Sequence, residues 1–412
     1  MRLISWVVLF FAAAGSVSFG YDWSTNPGDG SAGNPYQIWT SEQLNAIGAN
    51  ADFWNKHFKL TANIDMSVYT GTQYNIIGNI NTGFTGSFDG NSYVIRNLTY
   101  MTNSSQDCVG LFGRIENAAI RNINLENVTI SSEGEFIGGL VGWNKSGTIA
   151  ACYAAGSVHG DVSVGGLVGS NCGYITSSYA AVEVSGYDNI GGLAGYSGTI
   201  STTTAGILTE NSNEETDPGE ILSCYATGNV IGYSSVGGLV GASVFRIAFC
   251  YAKGNVSGNT YVGGLVGGNF HIIASCYSTG KVSGNNWVGG LVGENLYGSI
   301  EACFWDTQTS QTVDGVGVDP DPAGVVGKTT VQMQTISTFT AVSWDFSDTD
   351  GDTADWWMPS KNYPSLKWQQ HYGAGCGTPE DPYQIQAPWH MNSIGLKPCD
   401  GNKHFILMAD ID

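Results

Sequence analysis

The sequence predicts an all-β fold: a right-handed parallel β-helix (solenoid) of ~26-residue coils with N- and C-terminal caps. Three observations predict this fold class. Glycine accounts for 58 of the 412 residues, which disfavours helices, and only 12% of residues are charged, which disfavours a disordered polyelectrolyte. The string GGLVG recurs along the chain, and a second string, CYAxGxVxG, follows the copies. Repetition at a period of this size is typical of solenoids.

The leucine of GGLVG sets the period. It occurs at Leu111 (in a weaker VGLFG copy), Leu140, Leu167, Leu193, Leu239, Leu265 and Leu291. The steps are 26 to 29 residues, apart from one of 46 that indicates a 20-residue insertion within residues 196–220. Because one unit cannot bury its apolar face alone, the units should stack around a continuous core. We expect three short β segments per coil and a right-handed path by the crossover rule for parallel strands; a propeller, the alternative, needs ~40–50 residues per blade.

Equivalent positions in the repeats predict columns of like residues. One column contains Cys152, Ser178, Cys224, Cys250, Cys276 and Cys303. Because cysteine packs as a small apolar side chain, we expect free buried thiols, although coils ~4.8 Å apart leave vertical disulfides open. An isoleucine column lies three residues earlier, so strict strand alternation cannot bury both columns. Asparagines at one turn, Asn144, Asn171, Asn269 and Asn295, should form a ladder along the axis.

The chain divides into five regions by sequence. They are a signal peptide at 1–20, an N-terminal cap with the first coils at 21–106, the repeats at 107–304, a C-terminal cap at 305–370 and the start of a second module at 373–412. The first region has a positive start followed by a 13-residue apolar run, which is too short to span a membrane. We therefore expect a secreted or cell-surface protein whose mature chain does not insert into a membrane.

Two segments of the chain share one motif. Residues 34–65 and 381–412 are identical at 15 of 32 positions without a gap. In the first copy, Thr40 or Ser41 should cap a short helix over SEQLNAIGAN. Since the chain stops within the second copy, we expect a fragment of a longer polypeptide.

The net charge of −20 restricts the partners. Binding of nucleic acid needs a basic surface that releases counterions, but the chain has only 15 lysines and arginines against 35 acids. An acidic surface also repels anionic lipid headgroups. We exclude nucleic acid and expect an extracellular or cell-surface polymer or protein as partner, with a polysaccharide as one option.

The GGLVG and CYAxG strings resemble the GLUG-motif repeat, named for its glycine–leucine–glycine core. The resemblance covers about residues 109–304. Such repeats occur in bacterial surface and secreted proteins and in the non-catalytic region of IgA-cleaving zinc peptidases. The peptidases' zinc motif HExxH is absent here, because His57 and His404 are each followed by phenylalanine. The resemblance therefore implies a repeat type and no protease activity.

Catalytic or cofactor chemistry is not expected from the residues. The histidines are scattered, and no catalytic residue, metal site or cofactor is assigned. The acidic stretch Asp348–Asp355 could offer oxygens to calcium, but its glycine is not at the EF-hand position, and a solvated turn is the alternative. Glycoside hydrolysis needs two carboxylates at a fixed spacing. The acids of the coils are sparse and are not expected to stack: Asp161, Glu183, Asp188 and Glu294.

A variable turn before each GGLVG carries the candidate binding residues. Its column reads Ser163, Asn189, Ser235, Tyr261 and Trp287. Tyr261 over Trp287, beside Asn259 and Asn285, is a pattern suited to stacking on sugar rings. The alternative is that these are scattered surface aromatics or contacts to a cap.

These observations predict a non-enzymatic, exported structural or adhesive β-solenoid module of a bacterial surface or secreted protein. The alternative is a carbohydrate-binding or carbohydrate-active β-helix, similar to a lyase or hydrolase.

Overall fold

The computed structural model describes residues 21–202, 208–210, 219–318, 323–347, 355–359, 361–369, 378–379, 382–385 and 403–408. The predicted signal peptide lies outside these residues, as do most of the insertion and the acidic stretch up to residue 354. Parallel coils of ~26 residues stack into a β-solenoid of about 12 turns. This confirms the all-β solenoid that the repeat predicted.

Each repeat coil contributes strands to four parallel sheets, which we call A to D in the order the chain meets them. The expectation of three segments per coil was therefore wrong. Sheet A contains Tyr36–Ile38, His57–Leu60, Ser87–Asp89, Ala119–Arg121, Thr148–Ala150, Tyr174–Thr176, Glu220–Leu222, Arg246–Ala248, Ile272–Ala274 and Ser299–Glu301. Sheet B contains Ile64–Asp65, Val94–Arg96, Thr99–Met101, Asn124–Ser131, Tyr153–His159, Tyr179–Ser185, Tyr225–Ala226, Val230–Ile231, Tyr251–Ala252, Val256–Ser257, Tyr277–Ser278, Val282–Ser283, Cys303–Asp306 and Val325–Lys328.

The other two sheets lie on either side of the GGLVG turn. Sheet C contains Glu135–Gly138, Val162–Gly165, Asp188–Gly191, Ser234–Gly237, Thr260–Gly263 and Asn286–Gly289. Sheet D contains Phe112–Ile115, Val141–Asn144, Val168–Asn171, Ala194–Ser197, Val240–Ser243, Val266–Asn269, Val292–Asn295 and Val316–Val318. Short pairs outside the four sheets join Ile200–Thr202 with Leu208–Glu210, Trp356–Trp357 with Ser365–Leu366, and Tyr383–Ile385 with Phe405–Leu407.

Helices lie at the two ends of the repeat array. The α-helices are Ser41–Ala49, Thr307–Ser310, Thr330–Met333 and Ile336–Thr340, and the 3₁₀ turns are Trp23–Thr25, Ala51–Phe53 and Lys367–Gln369. Thr40 is the N-cap of the first α-helix, and its side chain and that of Gln43 form a capping box. The helix predicted over SEQLNAIGAN is confirmed.

The corner between sheets A and B explains how two columns are buried at once. Ala151, the residue before the cysteine, adopts a left-handed conformation with φ of 52°. This turn cancels the strand alternation, so Ile149 and Cys152 both point into the core and are 0% and 1% exposed. The same conformation recurs in the other coils at Ser177, Ser223, Phe249, Ser275 and Ala302. Strict alternation fails here because the corner is a single residue in an unusual backbone region.

Glycine in GGLVG is required where sheets C and D approach each other. A Cβ on the last glycine of one copy, Gly267, would lie 2.5 Å from the carbonyl oxygen of Gly241 and 2.5 Å from the carbonyl carbon of Ser235. At Gly166, a Cβ would lie 2.3 Å from the carbonyl oxygen of Gly192 on the next coil. Backbones therefore pack directly on backbones at this edge, which no residue with a side chain permits.

The asparagine ladder forms as expected, in two pieces. Asn144 Nδ2 donates to Asn171 Oδ1 over 2.7 Å, and Asn269 Nδ2 donates to Asn295 Oδ1 over 2.7 Å. Asn144 also donates to the carbonyl of Gly147 and accepts from its N–H, which closes the turn between sheets D and A. Serines occupy the two intervening coils and interrupt the ladder.

The chain after the last repeat first continues the coils and then runs back along their outer side. Trp305 and Val316 belong to the main core. The described residues within 329–369, which we call the strap, then pack on the outside of sheet B. There Trp344 and Trp356 cover a column of tyrosines, and Trp368 Nε1 donates to the carbonyl of Ser223 over 2.9 Å.

The described residues of the second motif copy pair as the first copy does. Tyr36 faces Phe58 and Ile38 faces Leu60 in the parallel pair of the first copy. Tyr383 faces Phe405, and Ile385 faces Leu407, in the same register. The shared sequence motif therefore corresponds to a shared local structure.

Candidate functional site

The variable column of sheet C has a special backbone conformation. Ser163, Asn189, Ser235, Tyr261 and Trp287 have φ between 49° and 56°. Left-handed backbone costs roughly 1–2 kcal/mol for most residues, and after glycine it is asparagine and aspartate that tolerate it best. The structure therefore places two large aromatic residues where a small polar residue would be more stable.

Tyr261 and Trp287 stack on each other on the solenoid surface. Their ring centroids lie 4.7 Å apart and their planes differ by 13°. Trp287 is 47% exposed, so part of the indole faces solvent. The structure thus brings together the two residues that the column placed in adjacent coils.

The amides that precede this pair also contact each other. Asn285 Nδ2 donates to Asn259 Oδ1 over 2.7 Å, and both side chains are at least partly accessible. The bond uses one amide hydrogen of Asn285 and the amide oxygen of Asn259, and it fixes the orientation of both amide groups.

Sheet D supplies two further features beside the rings. Gly268 pairs with Ala242 on one side and with Glu294 on the other, so a position without a side chain separates a methyl group from a carboxylate. Glu294 is half-buried, and burial raises the pKa of its carboxyl group. Burial and the negative charge of Glu294 both raise the pKa of Tyr261. We call Tyr261, Trp287, Gly268 and Glu294 the ring groove.

Sequence reasoning missed Glu294 as part of this site. It lies seven residues after Trp287, across the GGLVG turn and on another sheet. The sequence contains a signal that could have identified Glu294, because it is the charged residue in a column that otherwise reads Ser170, Tyr196, Ala242 and Gly268.

A second exposed aromatic stack was also missed. Tyr187 and Tyr233 lie 4.9 Å apart with planes 2° from parallel, and they are 55% and 47% exposed. They occupy the column that continues as Asn259 and Asn285, two residues before the ring-groove column.

A third aromatic column is covered by the strap. Its tyrosines, Tyr153, Tyr179, Tyr225, Tyr251 and Tyr277, stack at centroid distances of 4.2 to 5.0 Å. Lys253 lies with Nζ 4.8 Å from the Tyr251 ring centroid and 5.9 Å from that of Tyr363. Burial lowers the pKa of Lys253 to about 8.

One buried carboxylate holds the strap to the last coil. Asp306 Oδ1 accepts the N–H groups of Gln308 and Thr309. Its Oδ2 accepts the hydroxyls of Thr330 over 2.7 Å and Tyr363 over 2.8 Å. All these donors come from one short stretch of helix and from the strap, so Asp306 has a structural role.

The acids of the middle coils lie closer together than expected. The N–H of Asp188 donates to the carbonyl of Asp161, and burial and then Asp161 contribute to raising the pKa of Asp188. Burial, Asp107 and Asp161 raise the pKa of Glu135. Asp188 nevertheless pairs with Val162 and Ser234 in sheet C, so the two acids do not stack in one column, as expected.

Neither a cluster of metal-ligating side chains nor a membrane-spanning helix is present in the described part of the chain. No group of three or more histidine, cysteine or acidic side chains there is placed to hold a metal ion. The acidic stretch Asp348–Asp355 lies outside these residues except for Asp355. Every helix in the described ranges is too short or too polar to cross a bilayer.

Comparison with known proteins identifies the repeat. Residues 258–283 match the GLUG motif. This segment runs from Gly258 through the GGLVG turn to the CYSTG string and ends at Ser283. The GLUG resemblance of the repeats is thereby confirmed, and the matched segment contains Tyr261 and Gly268 of the ring groove.

Two curated relatives match longer stretches of the chain. Halomucin from Haloquadratum walsbyi is 35% identical over 153 residues, which cover 35% of this chain and 2% of halomucin. A protein provisionally named Gly-rich membrane protein, from Evansella cellulosilytica, is 33% identical over 123 residues, which cover 28% of this chain and 14% of that protein. The chain thus matches only a small part of either relative, and neither carries the name of an enzyme.

A solved structure resembles the chain more loosely. A protein provisionally named immunoglobulin A1 protease, from Bacteroides ovatus, aligns with a TM-score of 0.49 and 21% identity, over 83% of this chain and 94% of the other.

Proposed function

We propose that this chain is a non-enzymatic structural and adhesive module of an exported protein, located at a cell surface or in the medium. The observation that carries the proposal is the continuous register of the coils. Val164, Ile190, Val236, Val262 and Val288 follow one another in sheet C, each paired with the next. Because every coil bonds to its neighbours in several sheets, the array is a stiff body that can hold surface side chains at fixed spacing.

The relatives support an extracellular or envelope role. One is named halomucin and the other is provisionally named a Gly-rich membrane protein. A net charge of −20 keeps such a surface soluble and free of adsorbed nucleic acid. An enzymatic role has less support, because the ionised groups with described partners, such as Asp306, serve helix capping and strap attachment.

Export can be tested by expressing the chain with its own first 20 residues in a bacterial host. We expect the product in the medium or accessible to added protease on intact cells, with an N-terminus that begins between residues 16 and 21. A matched control lacks residues 2–20 and should stay inside the cell. Retention of the full chain in the cytosol would contradict the proposal.

The structural role can be tested by pulling the purified chain by its two ends. We expect the chain to lengthen in steps that each correspond to the unfolding of about one coil, because each coil is stabilised mainly by contacts with its neighbours. Extension at forces typical of an unfolded chain would contradict a structural role. The same preparation should release no reducing ends from polysaccharides, and such release would overturn the non-enzymatic assignment.

A further inference from the structure

We propose that the ring groove is a binding site for an uncharged polysaccharide, which gives the adhesive role proposed above a defined ligand class. The site combines an exposed aromatic stack, a position without a side chain and a half-buried carboxylate. This inference rests on the proposed function only for its setting outside the cell, since the groove itself is defined by the described coils.

Packing of the coils does not require aromatic side chains at the positions of Tyr261 and Trp287. Ser163, Asn189 and Ser235 fill the same left-handed position in other coils, so the turn closes without an aromatic side chain. Tyr261 and Trp287 instead leave an indole that is 47% exposed. An aromatic face of this kind binds the C–H face of an amphipathic ligand, while the hydroxyls at its edge remain available for hydrogen bonds.

Polar groups lie where such hydroxyls would need partners. Gly268 has no side chain at the position where Ala242 and Tyr196 stand in other coils, and the Phe270 ring lies 3.3 Å from where its Cβ would be. Glu294 is the next residue of this column, and its negative charge contributes to raising the pKa of the Tyr261 phenol. A carboxylate accepts hydrogen bonds from neutral hydroxyl groups, and half-burial strengthens each of those bonds.

Charge selects among the polymers that could lie in the groove. The chain carries −20 overall, and Glu294 adds a local negative charge at the rings. The net charge of the chain and the charge of Glu294 both repel an acidic polysaccharide, whereas an uncharged polysaccharide meets no electrostatic repulsion. A protein partner would have to bury a larger area than one pair of rings and a carboxylate provide. An uncharged glycan is therefore the occupant that the groove fits best.

The experiment measures retention of the purified chain on cellulose, chitin, curdlan and starch, with alginate as the acidic polymer. We expect retention on at least one uncharged polymer and none on alginate. The variant Tyr261→Asn/Trp287→Asn should lose retention at least tenfold, and Glu294→Ala should lose it severalfold. Asparagine is chosen because Asn189 already occupies this position in another coil, so the variant should fold, which thermal unfolding verifies.

The matched control is Tyr187→Asn/Tyr233→Asn, which removes the other exposed stack. We expect it to bind as the unmodified chain does. An equal loss of retention in this control would show that exposed aromatic residues adsorb to the polymer wherever they lie on the surface, and it would overturn the site. Absence of retention on every uncharged polymer, or unchanged retention in the Tyr261→Asn/Trp287→Asn variant, would also overturn it. Export and mechanical unfolding do not involve the groove, so failure here is distinct from failure of the structural role.

Discussion

The backbone N–H of Cys152 donates to the hydroxyl of Ser178 on the next coil over 3.1 Å. In later coils a thiol takes the place of that hydroxyl: the N–H of Cys224 donates to Cys250 Sγ, and the N–H of Cys250 donates to Cys276 Sγ, each over 3.4 Å. Each side chain also donates to the carbonyl two residues before it, as Ser178 does over 2.8 Å and Cys250 over 3.1 Å. The column is thus a chain of hydrogen bonds that satisfies one buried backbone N–H per coil.

This relationship predicts different effects for two substitutions at Cys250. Cys250→Ser should change the free energy of unfolding by less than about 1 kcal/mol, because a hydroxyl makes both bonds at Ser178. Cys250→Ala should cost about 1–3 kcal/mol, because it leaves the N–H of Cys224 buried without a partner. Denaturant unfolding of both variants measures the difference, and equal stability of the two would contradict a hydrogen-bonding role for the thiol.

Gly267, the last glycine of one GGLVG copy, and Gly268, the residue after it, offer a matched pair of substitutions. Gly267→Ala should cost about 2–3 kcal/mol, because its Cβ would lie 2.5 Å from two backbone atoms of neighbouring coils. Gly268→Ala should cost less than about 1 kcal/mol, because the nearest neighbours of its Cβ would be side-chain atoms, the Phe270 ring at 3.3 Å and Ala242 Cβ at 3.7 Å. Ala242 already stands in that column. Thermal or denaturant unfolding distinguishes them, and the reverse order would refute the close packing of sheets C and D.

Lys253 should add to stability as the pH rises. Its pKa is about 8 in the folded chain and ~10.4 when unfolded. Between these values the unfolded chain binds a proton that the folded chain does not, so this group raises the free energy of unfolding with pH, at most by about 1.4 kcal/mol per pH unit. Burial raises the pKa of Cys108 and Cys152 to about 12, so these thiols act in the opposite direction once unfolded cysteine ionises near pH ~8.5. The contribution of Lys253 is therefore the difference in stability between the unmodified chain and Lys253→Met. This difference should grow from pH 7.5 to 9.5, while Lys281→Met, at an exposed lysine, should follow the unmodified chain.

Asp306 should control attachment of the strap. Asp306→Asn replaces one accepting oxygen by a donor, so the hydroxyls of Thr330 and Tyr363 and the N–H groups of Gln308 and Thr309 can no longer all be accepted. We expect a loss of about 1–3 kcal/mol and a change in tryptophan fluorescence, because Trp344 and Trp356 belong to the strap and pack on the tyrosine column. Asp314→Asn, at an exposed acid, is the control, and an equal effect of both variants would argue against this role.

The sequence predicted the period of the coils and the columns of like residues, but not the corners of each coil or the strap. The period and the Tyr261–Trp287 pair follow from equivalent positions in successive coils, which must stack. The number of corners could not be predicted, because residues such as Ala151 and Tyr261 adopt a left-handed backbone without being glycine or asparagine. The strap was missed because Trp344 and Trp368 lie in an aperiodic stretch, so that nothing in their spacing indicates contact with sheet B.

The uniform register of the coils also has a genetic consequence. Val236, Val262 and Val288 are separated by one coil each and face one another directly, so removing or duplicating the DNA of one coil restores every column across the junction. Unequal recombination between repeats outside the coils that the strap contacts can therefore lengthen or shorten the array while the columns stay continuous. The reach of this surface and the number of rings that it displays can then differ between closely related strains.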